Sequence, residues 1–345
     1  GSTGGGSPDL KFFSNANTTP KLTLSTAGAL TATSYNGIPF YSDSSAASLY
    51  THDVSGTDDT AQFNTAYGFA AMDAITTGDQ NTAVGYAAGG ALTTGTGNVS
   101  LGYRAGLSLT TGHNNVAIGN NALLTEDGDG YNVAIGASAL KDLNAGADAY
   151  NVAVGHAAGE NVTTGINNTL VGGLAGDALV TGSYNVALGY GALSAADGSE
   201  SKNVAIGANS LAVLNNDGDA FNVAVGYSSG ASMTTGVRNT IMGGLAGDAL
   251  TTGGNNTAMG YLALSTEDAG SYNIAIGNYA LENQDAGDAY NVAIGYFAGR
   301  QVTTGTNNVI IGGLAGDALT TGEYNVAIGR DALTTEDTGD RNVAI

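Results

Sequence analysis

Histidines are the first residues of this sequence to weigh for metal or nucleophilic chemistry. His52, His113 and His156 are its only histidines, and no two of them stand at a spacing typical of metal ligands. No Ser-His-Asp order recurs around them, so nucleophilic catalysis has no support in the sequence. We therefore expect no metal site, no cofactor and no catalytic residue here.

Carboxylates recur in turn-like segments. Asp127-Gly128-Asp129 and Asp217-Gly218-Asp219 are acidic pairs, and Glu126, Glu267 and Glu336 stand in matching Thr-Glu-Asp segments. Paired carboxylates can cleave glycosidic bonds, and several oxygen ligands suit Ca²⁺, although the Gly-Gly-x-Gly-x-Asp order of calcium-binding β-rolls is absent. A catalytic site is normally single, whereas these segments recur. We expect solvated corners and no enzymatic activity, with polysaccharide cleavage as a distant alternative and calcium binding left open.

Threonine and tyrosine are the remaining candidates for a binding surface. Thr-Thr-Gly turns such as Thr163-Thr164-Gly165 would stack into a ladder of the kind that binds ice, but the acidic segments interrupt the array. The 17 tyrosines include many that flank a recurring five-residue phrase, such as Tyr150 and Tyr190. Exposed aromatic rows could stack on sugar rings or seal coil edges and subunit seams. Both interpretations stay open.

The phrase Asn-Val-Ala-Ile-Gly and its variants must position all of these residues, because it recurs along most of the chain. Most steps are 17 residues and the others are 18 or 19. A period this short is typical of one supersecondary unit stacked on copies of itself, which is a solenoid. The phrase starts at Asn64, Asn81, Asn98, Asn115, Asn132, Asn151, Asn168, Asn185, Asn203, Asn222, Asn239, Asn256, Asn273, Asn291, Asn308, Asn325 and Asn342.

The spacing within one unit predicts the fold class. Val152 and Val154 lie two apart, Gly155 follows them, and Val162 is a second apolar position. No segment is long enough and free enough of glycine for a stable helix. We predict an all-β, parallel β-roll or β-solenoid of about 17 coils, with two brief strands and two turns per coil in two flattened sheets. The predicted repeat core is Val116, Ile118, Val133, Ile135, Val152, Val154, Val204, Ile206, Val292, Ile294, Val326 and Ile328.

A small residue stands between the two branched residues of each strand. On a strand it faces away from them, so a row of alanines would lie on the outside of a thin roll. Packing several chains together would cover that row, which predicts a homotrimer; the alternative is that alanine is only a neutral strand filler. The predicted trimer seam is Ala117, Ala134, Ala153, Ala187, Ala205, Ala224, Ala275, Ala293 and Ala327.

Composition limits the partners. The net charge is -21, from 30 acidic and 9 basic residues, which argues against nucleic acid and against an anionic membrane surface. There is no cysteine, so disulfides and thiolate metal sites are excluded. No apolar run approaches the roughly 20 residues of a membrane span, so we expect no membrane insertion.

A longer repeat of about 70 residues, and an N-terminal segment that lacks the short repeat, define the expected domains. Gly-Gly-Leu-Ala-Gly-Asp-Ala-Leu begins at Gly172, Gly243 and Gly312, so four coils form a super-unit of about 70 residues whose extra residues bulge as loops. We expect a flexible lead-in at residues 1–8, an N-terminal cap or connector at 9–55 and the solenoid at 56–345. Because the phrase at Asn342 stops at Ile345, we also expect the chain to be part of something longer.

The repeat wording resembles that of two families of surface fibres. Asn-Val-Ala-Ile-Gly followed by small residues is similar to the head repeats of trimeric autotransporter adhesins. Thr-Thr-Gly-x-Asn-Asn-Thr/Val-x-Val/Ile-Gly and the segment 21–30 resemble phage tail-fibre proteins. The resemblance implies a homotrimeric extracellular fibre, in a virion or on a cell, that attaches to a glycan or protein receptor. A bacterial adhesin or a self-assembling filament is the alternative, and the receptor and host stay open.

Overall fold

The structure, a computed structural model, is built from short strands. It describes the segments 10–12, 22–24, 30–32, 34–35, 38–39, 41–43 and 48–50, and residues 60–345 apart from 196–197; within them there is no helix. The strands are β1 (Leu10–Phe12), β2 (Leu22–Leu24), β3 (Leu30–Ala32), β4 (Ser34–Tyr35), β5 (Ile38–Pro39), β6 (Tyr41–Asp43), β7 (Ser48–Tyr50), β8 (Thr65–Tyr67), β9 (Thr82–Val84), β10 (Val99–Leu101), β11 (Val116–Ile118), β12 (Val133–Ile135), β13 (Val152–Val154), β14 (Thr169–Val171), β15 (Val186–Leu188), β16 (Val204–Ile206), β17 (Val223–Val225), β18 (Thr240–Met242), β19 (Thr257–Met259), β20 (Ile274–Ile276), β21 (Val292–Ile294), β22 (Val309–Ile311), β23 (Val326–Ile328) and β24 (Val343–Ala344).

One long parallel sheet runs the length of the repeat region. Strands β7 to β24 pair in sequence order, and each strand contributes one coil of the solenoid. The register is set by the repeat itself: Val116 pairs with Val133 and Ala117 with Ala134. The predicted parallel β-solenoid of about 17 coils is therefore confirmed. The prediction of two strands and two sheets per coil is wrong, because each coil has one strand in one sheet.

The remainder of each coil is bonded to its neighbours without forming strands. In the coil that starts at Asn151, the N–H of Gly159 donates to Ala175 O (3.0 Å) and that of Thr163 to Val180 O (2.8 Å), both in the next coil. Ala157 and Gly159 have φ of 55° and 60°, in the left-handed region. Alternating left-handed residues curl the backbone, so this side of the coil cannot continue as an extended strand.

The orientation of the strand residues is opposite to the prediction. The middle residue of each strand points into the coil: Ala117, Ala134 and Ala153 are fully buried, and the residues on either side of them are half-buried on the outer surface. The predicted alanine trimer seam is therefore interior to a single chain, and the predicted Val/Ile core is its outer face. The same correction covers Ala187, Ala205, Ala224, Ala275, Ala293 and Ala327, and Val116, Ile118, Val133, Ile135, Val152, Val154, Val204, Ile206, Val292, Ile294, Val326 and Ile328.

The physical reason lies in the volume of the interior. The larger buried side chains come from the turn side of the coil, as with Leu140 and Leu143, and they leave room only for alanine opposite. Coils with a larger middle residue compensate: where Leu170 replaces alanine, the position of Leu140 is taken by Gly176, whose added Cβ would lie 2.8 Å from Leu170. In the preceding coil Gly159 stands at the same position, and its added Cβ would lie 2.7 Å from Leu170, so one leucine fills the space that two glycines leave, as close packing requires.

The segments before the first coil form smaller antiparallel units. β1, β2 and β3 form a three-stranded sheet, β4 pairs with β5, and β6 pairs with β7, which joins the long sheet beside β8. The predicted lead-in at residues 1–8 lies outside the described residues, and a capping role for 9–55 stays a prediction. The predicted loops of the longer coils are present: at Gly146, Gly218 and Gly287 an added Cβ would meet open space.

Candidate functional site

A continuous ladder of asparagines holds the coils together. The backbone N–H of Asn168 donates to Oδ1 of Asn151 at 2.9 Å, and the equivalent bond joins every neighbouring pair from Asn64 to Asn342 at 2.8–3.2 Å. These side chains are buried from Asn64 to Asn325. Because a buried amide is costly when unpaired and stabilising when satisfied, the ladder fixes the coil spacing.

Most ladder asparagines also close their own coil. Nδ2 of Asn151 donates to Gly165 O at 2.8 Å, and Nδ2 of Asn168 donates to Gly182 O at 2.9 Å. The exceptions include Asn132 and Asn203, whose Nδ2 donates to the residue two before it, and Asn273, whose Nδ2 has no partner within the described part of the chain. The residue just before the asparagine always has a positive φ, as at Tyr150 (52°), which turns the chain back into the strand. Sequence reasoning identified the asparagine repeat but did not identify either role of its side chain.

The glycine that ends each strand is required by the close approach of the next coil. At Gly155, φ is +142°, and an added Cβ would lie 2.4 Å from the carbonyl oxygen of Gly172. No side chain fits within that distance, and residues other than glycine rarely adopt this φ. The glycine at Gly172 meets Gly189 in the same way, which makes this row a second fixed feature of the repeat.

The outer strand residues, the first and third of the coil strands β8 to β23, form two half-exposed rows along the sheet. They are valine, isoleucine, leucine, threonine or methionine in nearly every coil, as with Val133 and Ile135. Several have more than a third of their surface exposed, among them Val84, Ile206, Met242 and Ile274. A sheet face of this composition is typical of a surface that is covered by a partner.

Two exposed aromatic rows border the outer strand residues. The front row precedes the ladder asparagine, and the rear row follows the strand-end glycine. The front row contains Phe63, Tyr131, Tyr150, Tyr184, Phe221, Tyr272, Tyr290 and Tyr324, and the rear row contains Phe69, Tyr86, Tyr103, Tyr190, Tyr227, Tyr261 and Tyr296.

Neighbouring rings within these rows stack on one another. Tyr131 and Tyr150 are parallel with centroids 4.9 Å apart, and Tyr86 and Tyr103 are 5.4 Å apart. A ring face that contacts the next tyrosine is not free on that side to stack on a sugar. These pairs favour the role of sealing coil edges, and the sugar-binding alternative stays a prediction for unpaired tyrosines such as Tyr184.

Charge is distributed unevenly around the coil. We define the outer face as the outer strand residues together with the front and rear rows. None of the 30 acidic residues occupies any of these positions. Basic residues do occupy some of them, and two of these, Lys202 and Arg341, lie over the neighbouring rings of Phe221 and Tyr324 at 5.1 and 5.3 Å. The outer face therefore has an apolar centre and carries no acidic residue, in a strongly acidic chain.

The acidic segments are not all solvated corners, as the sequence predicted. Glu126 and Glu267 are fully buried at the interior position that Leu109, Leu143 and Leu250 fill in other coils. Burial, together with the nearby carboxylate of Asp129, raises the pKa of Glu126 to about 7. Oε2 of Glu126 and Oδ2 of Asp129 have no hydrogen-bond partner within the described part of the chain.

The surroundings of Glu267 differ from those of Glu126. Its oxygens accept hydrogen bonds from Gly270 N (2.6 Å), Gln284 Nε2 (3.0 Å) and Ala286 N (3.3 Å), so both are satisfied. Oxygen atoms of Glu267, Asp268 and Asp285 lie within 4.8 Å of one another. Because hydrogen bonds within the protein already use the buried carboxylate, the cluster does not by itself indicate an ion.

The remaining candidates have structural surroundings. His113 lies 3.7 Å from Asp148 and edge-on to Tyr131, His156 is exposed, and His52 lies outside the described residues. The first threonine of a Thr-Thr-Gly turn bonds the next coil, as Thr93 Oγ1 does to Thr110 O at 3.0 Å. The row of threonines is interrupted at the acidic segments, as predicted: there Thr110 Oγ1 donates to the backbone O of Asp127 and not to that of a threonine. Ice binding stays untested.

Comparisons with known proteins leave this geometry as the basis for a functional argument. No family model, no curated protein and no solved structure matches the chain. Among the described residues, no helix has the length and apolar character needed to span a membrane.

Proposed function

We propose that this chain is a structural and adhesive extracellular fibre segment, a shaft or head resembling that of a phage tail fibre, which holds a tip away from a surface. As a fibre it associates with copies of itself, as a homotrimer in the first instance, and attaches to a cell-surface glycan or protein. It carries no catalytic activity. A bacterial surface adhesin or a self-assembling extracellular filament is the second form of the same proposal.

The unbroken asparagine ladder is the observation that carries the proposal. Seventeen coils at about 4.8 Å each give a rod on the order of 80 Å long. One kind of hydrogen bond crosses all sixteen junctions from Asn64 to Asn342 without interruption. Such a rod suits the work of transmitting position and load. Repetition also suits adhesion, because equivalent weak contacts along a rod add up to avidity.

An attachment experiment tests the adhesive part. The full chain, labelled with a fluorophore at its N-terminus, is incubated with a panel of bacterial cells and with their isolated envelope polysaccharides. Saturable attachment to some cells, lost when the cells are stripped of the matching surface component, is the expected result. Labelled serum albumin at the same concentration gives the background.

The same samples separate the proposal from glycan cleavage. A polysaccharide-degrading enzyme generates new reducing ends and shortens the polymer, whereas an adhesive fibre leaves the polymer length unchanged. New reducing ends above background would replace the fibre proposal with a tailspike-like hydrolase. No attachment to any cell or polymer would leave the rod as a spacer only and overturn the adhesive role.

A further inference from the structure

We infer that the outer face is the seam between copies of this chain. The inference deepens the proposed function, on which it rests, by naming the surface through which the fibre's subunits associate. It replaces the alanine seam expected from the sequence, because the alanines are buried inside each coil. The occupants of the outer face are further copies of the same chain, whose own outer faces are buried in the same seam.

The composition of the outer face is the first support. Its two central rows are almost entirely aliphatic residues and threonine, and about half of its border positions are aromatic, the others being mainly asparagine, glycine and basic residues. No acidic residue occupies a position of the outer face, although the chain has a net charge of -21. Two copies of such an acidic chain repel each other, and the outer face is a side on which neither copy presents a carboxylate. The position of the acids therefore directs like molecules to meet through the outer face.

Size is the second support. The outer face runs for the length of the rod, on the order of 80 Å, and across the strand and the two rows that border it, about 20 Å. The product is on the order of 1,500 Å² per chain, well above the roughly 800 Å² per partner of a stable interface. The apolar central rows alone, at about half of this width, cover on the order of 800 Å², which exceeds the largest apolar patches usual on monomeric proteins, about 300–600 Å².

Periodicity favours a copy of this chain over a different partner. The rows of the outer face repeat at the coil spacing, as shown by the register of Val133 with Val152 and of Ile135 with Val154. Only another surface with the same spacing can match its side chains to the rows along the whole rod. The lack of a strong charge pattern also gives a charged macromolecule nothing to recognise.

The repeat provides a matched test of this seam. Val154, Val225 and Ile294 are half-buried outer strand residues in three equivalent coils, and one triple variant changes each of them to Glu. In the same coils Thr164, Thr235 and Thr304 are exposed away from the outer face, and the control variant changes these three to Glu. Both variants add three negative charges. Molar mass is measured by light scattering, with circular dichroism as the check on folding.

The expected result is a mass that is a multiple of 34.0 kDa for the unaltered chain and for the Thr control, and a single-chain mass for the outer-face variant. A monomeric unaltered chain at micromolar concentration, or an equal loss of association in both variants, would overturn the inference.

Cysteine substitution provides a readout that does not depend on tolerance of Glu. The chain has no cysteine, so Val154→Cys introduces one thiol on the outer face and Thr164→Cys one thiol elsewhere. We expect rapid disulfide-linked chains under mild oxidation only for Val154→Cys; equal or no linkage in the two variants would contradict the seam. Neither readout involves attachment to cells, so loss of adhesion with retained association would reject the proposed function and leave the seam intact.

Discussion

Oε1 of Glu126 accepts a hydrogen bond from the backbone N–H of Asp129 at 2.9 Å, inside a coil whose neighbours hold leucine at the same place. The second oxygens of both carboxyls are buried without a hydrogen-bond partner in the described part of the chain. Two ionised carboxylates cannot both be buried here at low cost, because each would lack solvation and repel the other. The pair therefore makes this coil sensitive to protonation.

Stability should decrease as the pH rises through neutrality. The pKa of Glu126 is about 7 in the folded chain, against an ordinary value of 4.5, so the folded state holds the proton more tightly than the unfolded state. The stabilising effect of this proton is complete below about pH 4.5 and is lost by pH 8. The loss is at most on the order of 3 kcal/mol. Urea unfolding followed by circular dichroism at pH 5 and pH 8 measures it.

Substitutions identify the group responsible. Glu126→Leu places at this position the residue that Leu109 and Leu143 provide in adjacent coils, and it should remove most of the pH dependence. Asp127→Asn changes the neighbouring exposed carboxylate and should leave the pH dependence as it is. An unchanged slope in Glu126→Leu would assign the effect to another group.

Breaking one rung of the ladder should destabilise the rod strongly. Asn168→Ala removes the acceptor of the Asn185 N–H (3.0 Å) and the donor to Gly182 O (2.9 Å). Two buried polar groups then lose their partners, at a cost of about 1–3 kcal/mol each. The exposed Asn161, which donates to Asp177 O, provides the control, and Asn161→Ala should cost less than about 1 kcal/mol. Similar unfolding midpoints for the two variants would refute the ladder's role.

Two glycines with positive φ should respond differently to alanine. At Gly155 the new Cβ would lie 2.4 Å from the backbone oxygen of Gly172, so Gly155→Ala must separate two coils. Gly146 has φ of +71° with open space around it, so Gly146→Ala has only the conformational cost of about 1 kcal/mol. We expect Gly155→Ala to cost more than about 4 kcal/mol or to prevent folding. Thermal unfolding of both variants measures the difference.

The inward orientation of the alanines can be checked by overpacking and rescue. Ala134→Leu forces a large side chain into an interior already filled by Leu140 and should cost about 1–3 kcal/mol. Adding Leu140→Gly reproduces the arrangement of Leu170 and Gly176 and should recover part of that loss. If the alanine instead faced outward, Ala134→Leu would be nearly neutral and the second change would only destabilise.

The stacked tyrosines should show measurable coupling. A double-mutant cycle on Tyr131 and Tyr150, whose rings are parallel at 4.9 Å, should give an interaction energy of about 0.5–1.5 kcal/mol. The control cycle is made on Tyr150 and Tyr184, whose rings do not stack on each other. The effects of Tyr150→Ala and Tyr184→Ala on the free energy of unfolding should add. Additivity in both cycles would show that the stacked pair does not stabilise the coil edge.

The coil count and strand register were predictable because both follow from the period. Asn151 recurs at Asn168, and a 17-residue spacing with Gly155 and the β-branched residues between permits little besides stacked coils. The position of the extra residues around Gly146 and Gly218 was predictable for the same reason, since they interrupt an otherwise constant spacing.

The prediction of which strand residues point inward was wrong, because residue size was taken as the guide to burial. A coil this narrow buries its smallest strand residue, Ala153, and exposes part of Val152 and Val154. Alternation from the asparagine was the available signal: if Asn151 is buried to bond the adjacent coils, Ala153 lies on the same side. The prediction of a second sheet was wrong for a different reason. Left-handed residues such as Ala157 and Leu174 have no sequence pattern that distinguishes them from strand formers.

Equivalent hydrogen bonds at every junction of the asparagine ladder have a consequence for the length of the rod. The bond between Asn132 and Asn151 and that between Asn203 and Asn222 are both 3.1 Å, and both stand at the start of a super-unit. Removing residues 151–221 would bring Asn222 to the place of Asn151 and restore the same junction. Loss or duplication of one DNA segment thus changes the rod by about 19 Å without requiring a new contact. The length of the rod can therefore change in steps of one four-coil super-unit.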